Sequence, residues 1–350
     1  MIAMRNRLRP TTLWMIALAL IASVTQPAIA LQPAARQVPV PTFQSDPAAI
    51  PVAPQSPSVA VPHPSLDAIQ LFCYDRNLPI DARMEPYRSN AQYRAWTVSY
   101  YSANDQRVPA ILVEPATRPA GKMPCILLMH GLGMNKLGLQ MMWATFVQKG
   151  YALLAIDAQY HGDRKPKETL DLFGLHPYAT RDMLVQSIVD IRRGVDFLQT
   201  LPEIDPDRIG YVGFSMGGIL GSVACGVDER FKAPVLCLAG GNFRLMVETS
   251  EIGPAKNARA AGLKPDASVW YAMDAVDPVR WIPFVSPRPV LFVNGDHDVI
   301  VPVACAKALH AAAKGPKQIF WYQGDHVPPT FAFPKILSAI TNWLDAHLKG

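Results

Sequence analysis

The sequence predicts an α/β fold: a mostly parallel sheet of eight strands with helices on both faces. Three observations predict it. After Gly121, short and fully apolar runs alternate with helical stretches, and strands apolar on both sides belong to sheets covered on both faces. Before that point, two β-rich runs flank a polar turn and read as an antiparallel hairpin. Finally, Gly213-Phe214-Ser215-Met216-Gly217 joins an apolar strand to a helix through a turn of small residues.

The chain has 350 residues, 50% of them hydrophobic, which allows a sizeable core. Residues 1–30 stand outside it. Arg5, Arg7 and Arg9 form a basic flank, Leu13 to Val24 an apolar run, and Ala28-Ile29-Ala30 a small-x-small cleavage pattern before Leu31. The apolar run is short for a membrane span, so the expectation is a signal peptide and an exported protein, periplasmic or extracellular. An uncleaved anchor is the alternative. No cysteine follows the cleavage pattern and Arg5 and Arg7 are not adjacent, which disfavours a lipoprotein or twin-arginine signal. Residues 1–30 hold three arginines and no acid, so their removal lowers the formal net charge from +5 to +2. A near-neutral chain has no electrostatic case for nucleic acid or anionic membrane as a partner.

Residues 31–65 are crowded with proline (Pro33, Pro39, Pro41, Pro47, Pro51 and others) and read as a linker. The folded domain is expected over 66–350. Its hairpin pairs Tyr93–Tyr101 with Val108–Val113. Cys125–Met129 and Ala152–Ile156 are the first parallel strands, separated by a helix from Leu137 to Lys149 that Gly150 closes. A long helix from Arg181 to Thr200 follows. Ile209–Phe214, Val235–Leu238, Val290–Val293 and Gln318–Tyr322 complete the eight. Of the five cysteines, Cys125 and Cys237 fall in buried strands and Cys225 in the helix after Ser215, so they read as core residues. An odd number cannot all pair internally, and none has zinc-ligand spacing. No cofactor or metal is expected.

In a parallel sheet, function collects beyond the C-terminal strand ends, and the chemistry-bearing residues occur there. The Gly213–Gly217 turn lifts the Ser215 hydroxyl above the sheet and aims a helix N-terminus at it, a geometry suited to a developing oxyanion. His130-Gly131-Leu132-Gly133 ends the first parallel strand, and its glycines leave the Leu132 N–H free to face a site. With the N–H of Met216 it forms a two-donor oxyanion hole. Asn294-Gly295-Asp296-His297-Asp298 ends a later strand. Asp298 is the choice of carboxylate to orient an imidazole, with Asp296 its competitor as a turn-capping residue. His297 reads as a solvent-facing loop residue. His326, on the loop after the last strand, is the general base. Of the eight histidines, His130 is built into the oxyanion turn, and His161, in Asp157–Arg164, reads as architectural or substrate-lining.

The order Ser215, Asp298, His326 is that of the α/β-hydrolase superfamily. Residues from about 94 to 348 resemble it, close to its dienelactone-hydrolase and acetyl-xylan-esterase-like branches. The resemblance rests on Asp205-Pro206-Asp207-Arg208-Ile209-Gly210 leading into Gly213-Phe214-Ser215-Met216-Gly217-Gly218, on the His130-Gly131 turn, and on Asp298 before Val301-Pro302. Dienelactone hydrolases proper carry a cysteine where this chain has Ser215, so their substrate does not carry over. The region before the domain is too short for a β-propeller, which counts against a prolyl oligopeptidase. About fifty residues separate Leu238 from Pro289, far more than a crossover needs. Residues 241–286, with Phe243, Met246, Trp270, Tyr271, Met273, Trp281 and Phe284, are either a small cap or ordinary helix packing. Met134, Met141, Met142 and Trp143 are candidates for an acyl pocket or for the core.

The expectation is a secreted serine esterase for a small-molecule or polymeric ester. An exopeptidase or amidase with the same triad is the alternative within enzymes. A catalytically idle binding module is the alternative outside them.

Overall fold

The structure, a computed structural model, describes residues 66–167 and 176–349. The expected signal peptide and the whole of the expected linker lie outside the described residues. The domain opens with helix α1, Leu66–Gln70.

One sheet of nine strands organises the domain, in the order β1-β2-β3-β5-β4-β6-β7-β8-β9. In chain order these are β1 Arg83–Ser89, β2 Tyr93–Tyr101, β3 Arg107–Pro115, β4 Met123–Met129, β5 Ala152–Ile156, β6 Ile204–Phe214, β7 Phe231–Cys237, β8 Val290–Gly295 and β9 Lys317–Tyr322. β1, β2, β3 and β5 pair antiparallel in turn, and everything from β5 to β9 is parallel. The expected count of eight is therefore corrected to nine. The strand that the sequence hides is β1, an edge strand exposed at every position. With neither face buried, Arg-Met-Glu-Pro-Tyr-Arg-Ser carries no period-2 apolar pattern to read.

The parallel strands show why the pattern works elsewhere. In β4, Cys125, Leu127 and Met129 enter one core layer while Ile126 and Leu128 enter the other. Successive side chains alternate across a pleated strand, so five apolar residues in a row supply two cores at once. Burying each such leucine or isoleucine stabilises the fold by about 2 kcal/mol. The first layer packs under α3, Pro177–Gln199, and α4, Met216–Val227. The second packs under α2, Trp143–Gln148, and α10, Phe333–Leu348.

Helix bounds shift from the expected ones. The stretch from Leu137 becomes turns and a 3₁₀ turn at Gln140–Met142 before α2 begins, with Gly150 in the left-handed region at φ 79° as the stop. α3 begins four residues earlier than expected, because Pro177 suits a first helical turn. Four of the five cysteines (Cys125, Cys225, Cys237, Cys305) are buried, Cys73 is exposed, and all are free thiols. No helix among the described residues is long and apolar enough to cross a membrane.

Candidate active site

Ser215 sits between β6 and α4 with φ 55° and ψ −116°, a strained conformation worth about 1–3 kcal/mol. The surroundings hold it there. Its amide donates to the Cys237 carbonyl at 2.8 Å, and its carbonyl accepts from the Ile219 amide at 2.9 Å. A Cβ at position 213 would lie 2.3 Å from the Gly217 carbonyl oxygen, and one at 217 would lie 2.4 Å from that of Met129. Only glycine permits so close an approach of backbone to backbone. The buried Tyr211 hydroxyl donates to the Gly217 carbonyl at 2.6 Å and braces the turn from below.

The structure brings three of the singled-out side chains into one chain of hydrogen bonds. His326 Nε2 lies 2.9 Å from Ser215 Oγ, and His326 Nδ1 lies 2.7 Å from Asp298 Oδ2. His326 and Asp298 are each 3% exposed, so water scarcely competes for either contact. The other Asp298 oxygen accepts the amides of Ile300 and Val301, both at 2.9 Å, which fixes how the carboxylate points.

Asp296 is placed elsewhere. Its Oδ1 accepts the Gly324 amide at 2.8 Å and lies 2.6 Å from His297 Nδ1. The Gly324 amide, then His297, hold its carboxyl below the usual range. Asp296 thus ties the end of β8 to the loop that carries His326. His297 itself is exposed, as expected of a loop residue. The tie was missed from sequence, where a turn-capping aspartate looks the same whatever loop it caps.

At the end of β4, the His130 ring sets the next peptide. The Ala158 amide donates to His130 Nε2 at 3.2 Å, so the proton sits on Nδ1, which donates to the Gly131 carbonyl at 2.8 Å. Burial, then the nearby His161, lower the His130 pKa to about 4 and keep the ring neutral. The Met134 amide donates to the same Gly131 carbonyl at 3.2 Å. In a planar trans peptide the Leu132 N–H must point the opposite way from that oxygen. Met216 opens α4, so its N–H has no intrahelical acceptor. Gly131 packs against the elbow: a Cβ on it would lie 3.5 Å from Ser215 Cβ.

His161 stays out of this chain, with Nδ1 2.9 Å from the Gln159 carbonyl. Its loop is fastened by buried Asp157, which accepts from the Lys136 amide at 2.7 Å and from Lys136 Nζ at 2.8 Å. That contact also anchors the chain just past the His130 turn.

A cavity of about 290 Å³ opens at Ser215, bordered by Leu132, Met216 and Ile219 below. Its roof is the 241–286 insertion, as α5 Phe243–Thr249, α6 Gly253–Ala260 and α7 Ala267–Asp274. The buried Asp277 carboxylate accepts the amides of Asn242 and Phe243 at 2.9 and 2.6 Å, clamping the end of the insertion to its start. Met134, Met141, Met142 and Trp143 do not border the cavity. Met142 and Trp143 lie in the core on the other face of the sheet with Met141 packed against it, so these three take the core alternative and not the acyl pocket. Among the described residues, no cluster of three or more His, Cys, Asp or Glu is arranged to hold a metal.

The chain matches two family models: acetyl xylan esterase (AXE1) over residues 74–240 and the prolyl oligopeptidase family over residues 174–349. The second match lies within the hydrolase fold and takes in nothing before residue 174. "Putative hydrolase YtaP" of Bacillus subtilis is 24% identical over 56% of this chain and 67% of that protein. "Putative esterase YitV" of the same species is 22% identical over 65% of this chain and 90% of that one. Among solved structures, an acetyl xylan esterase from Paenibacillus sp. R4 superposes with TM-score 0.67 at 22% identity, covering 81% of this chain and 92% of that one. At that identity, the likeness speaks for the fold.

Proposed function

The chain belongs to the α/β-hydrolases of the acetyl-xylan-esterase-like and prolyl oligopeptidase families, and from that premise we propose that it cleaves carboxylic esters through Ser215, His326 and Asp298. The observation that carries the reading is the unbroken path from Ser215 Oγ to His326 at 2.9 Å and on to Asp298 at 2.7 Å. Asp298 holds the imidazole with its proton on Nδ1, so Nε2 is free to take the hydroxyl proton as Ser215 Oγ attacks the ester carbonyl. The carbonyl oxygen becomes an oxyanion held by the Leu132 and Met216 amides, and losing one such donor typically costs about 3 kcal/mol of barrier. His326 then gives its proton to the departing alkoxide. Water, deprotonated by the same histidine, attacks the acyl-serine and restores the enzyme.

The neutral His130 ring supports the oxyanion role of Leu132, since it holds the peptide that carries the donor. Labelling with a fluorophosphonate, followed by peptide mapping, tests the reading. The adduct is expected on Ser215. Folded protein that takes no label would return the chain to the idle binding module.

A peptidase using the same triad has the prolyl oligopeptidase match in its favour. Recognition of a free peptide amine needs a carboxylate, and among the described residues the one carboxylate bordering the cavity is Asp266. Its Oδ1 caps α7, accepting from the Ser268 and Val269 amides at 2.8 and 3.0 Å. Asp266 keeps one oxygen for an amine, but it stands at the exposed rim where water competes for it, and ester cleavage is the better reading.

Export is part of the same proposal, on the strength of the basic, apolar and Ala-x-Ala segments of residues 1–30. Expressed with its full leader, the protein is expected outside the cytoplasm with Leu31 as its first residue, which intact mass would read. A cytoplasmic full-length product would overturn this.

A further inference from the structure

Resting on the esterase reading above, we propose that the cavity beneath the insertion receives the acyl chain of the ester, and that it takes medium-length apolar acyl groups in preference to acetyl.

Size argues first. An apolar cavity of about 150 Å³ holds benzene, so one of about 290 Å³ holds on the order of ten carbon atoms. Acetyl, with two carbons, would leave most of it unfilled. Lining chemistry argues second. Ile219, Phe243, Met246, Val269, Trp270 and Met273 present hydrocarbon, ring and thioether surface. The polar side chains on the wall are engaged with backbone: Thr180 Oγ1 donates to the His176 carbonyl at 3.0 Å, and Ser250 Oγ to that of Ile300 at 2.5 Å. A sugar ring entering here would lose its water shell and find little to replace it. Exposed Leu263 and Lys264 mark the mouth, where a longer chain would meet solvent.

The side of the ester follows from the proton. The leaving oxygen must lie within hydrogen-bond reach of His326 Nε2 to be protonated. The cavity is bordered by Leu132 and Met216, which carry the oxyanion amides, and by Ser215, while His326 takes no part in its wall. What fills it is therefore the group that stays on the serine after the alcohol leaves.

The test is the ratio of kcat/KM for p-nitrophenyl acetate, butyrate, octanoate and decanoate, all below their micelle concentrations, with the leaving group held constant. Each buried methylene is worth roughly fourfold at full return. Octanoate is expected to exceed acetate by on the order of 100-fold, a partial return after the chain's own ordering is taken off. Ala255 and Ala258, one turn apart on α6, both border the cavity. Ala258→Phe should fill space and lower the octanoate-to-acetate ratio at least about tenfold. Acetate turned over as well as octanoate by the wild type would overturn the proposal whatever the variant does. So would a flat acyl series alongside a rise from methyl to octyl acetate, which would put the chain on the alcohol side. If all four esters were inert, the nucleophile reading would fall first and this proposal with it.

Discussion

Replacing Ser215 by alanine should lower kcat/KM for p-nitrophenyl butyrate by at least about 10⁴-fold and leave Tm nearly unchanged. The two halves of that expectation have separate physical grounds. Activity falls because the acyl-enzyme route needs an oxygen at this position, and a methyl group offers none. What survives is the smaller acceleration that the Leu132 and Met216 amides give to direct attack by water. Stability holds because Oγ contributes one half-buried hydrogen bond to His326 and nothing to the core. The strained φ of 55° is imposed by Gly213, Gly217 and the Cys237 contact, and it is the same for serine and alanine. Undiminished turnover in this variant would remove Ser215 from the mechanism.

The second large effect is expected from Asp298→Asn, about 10⁴-fold in kcat with KM little changed. The reason lies in how the carboxylate is pinned. Oδ1 accepts two amides, from Ile300 and Val301, and an asparagine there can satisfy them only with its own carbonyl oxygen. Its NH₂ group is then forced toward His326 Nδ1, where a proton now points. The ring must move its proton to Nε2, and a protonated Nε2 cannot accept from Ser215. Asp296→Asn should change kcat no more than a few fold, because the new amide oxygen can still accept the Gly324 N–H at an exposed site. Equal losses in the two variants would break the assignment of Asp298.

Both residues are legible in the sequence for the same reason. Ser215 sits between glycines whose enlargement would clash with backbone, and Asp298 stands three residues after Gly295 and three before Val301-Pro302. His326 is legible because it stands on the loop just past the last strand, four residues after Tyr322. The central strands β4 and β5, buried at every position, are equally plain, since a strand buried on both faces reads as an unbroken apolar run. What escapes is information held in tertiary contact. Met142 and Trp143 are as apolar as Met246 and Trp270, yet the first pair faces the second core and the second pair faces the cavity at Ser215. No local pattern separates them, because the sheet face a helix covers depends on where the chain crosses over. β1 escapes for the opposite reason: it buries nothing, and the sheet simply accepts another antiparallel neighbour on its edge.

The insertion clamped at its base by Asp277 has an evolutionary corollary. The groups proposed to react come from four separate loops, after β4, β6, β8 and β9. Most of the roof over the cavity is a single uninterrupted stretch between β7 and β8, closed at its root by Asp277. Its return through Trp281, Ile282 and Val285 is buried in the main core, so change in length is tolerated best in the stretch from α5 to α7. Substrate preference is then free to drift quickly while the chemistry stands still, so two proteins of this fold with the same triad can part ways on what they cleave.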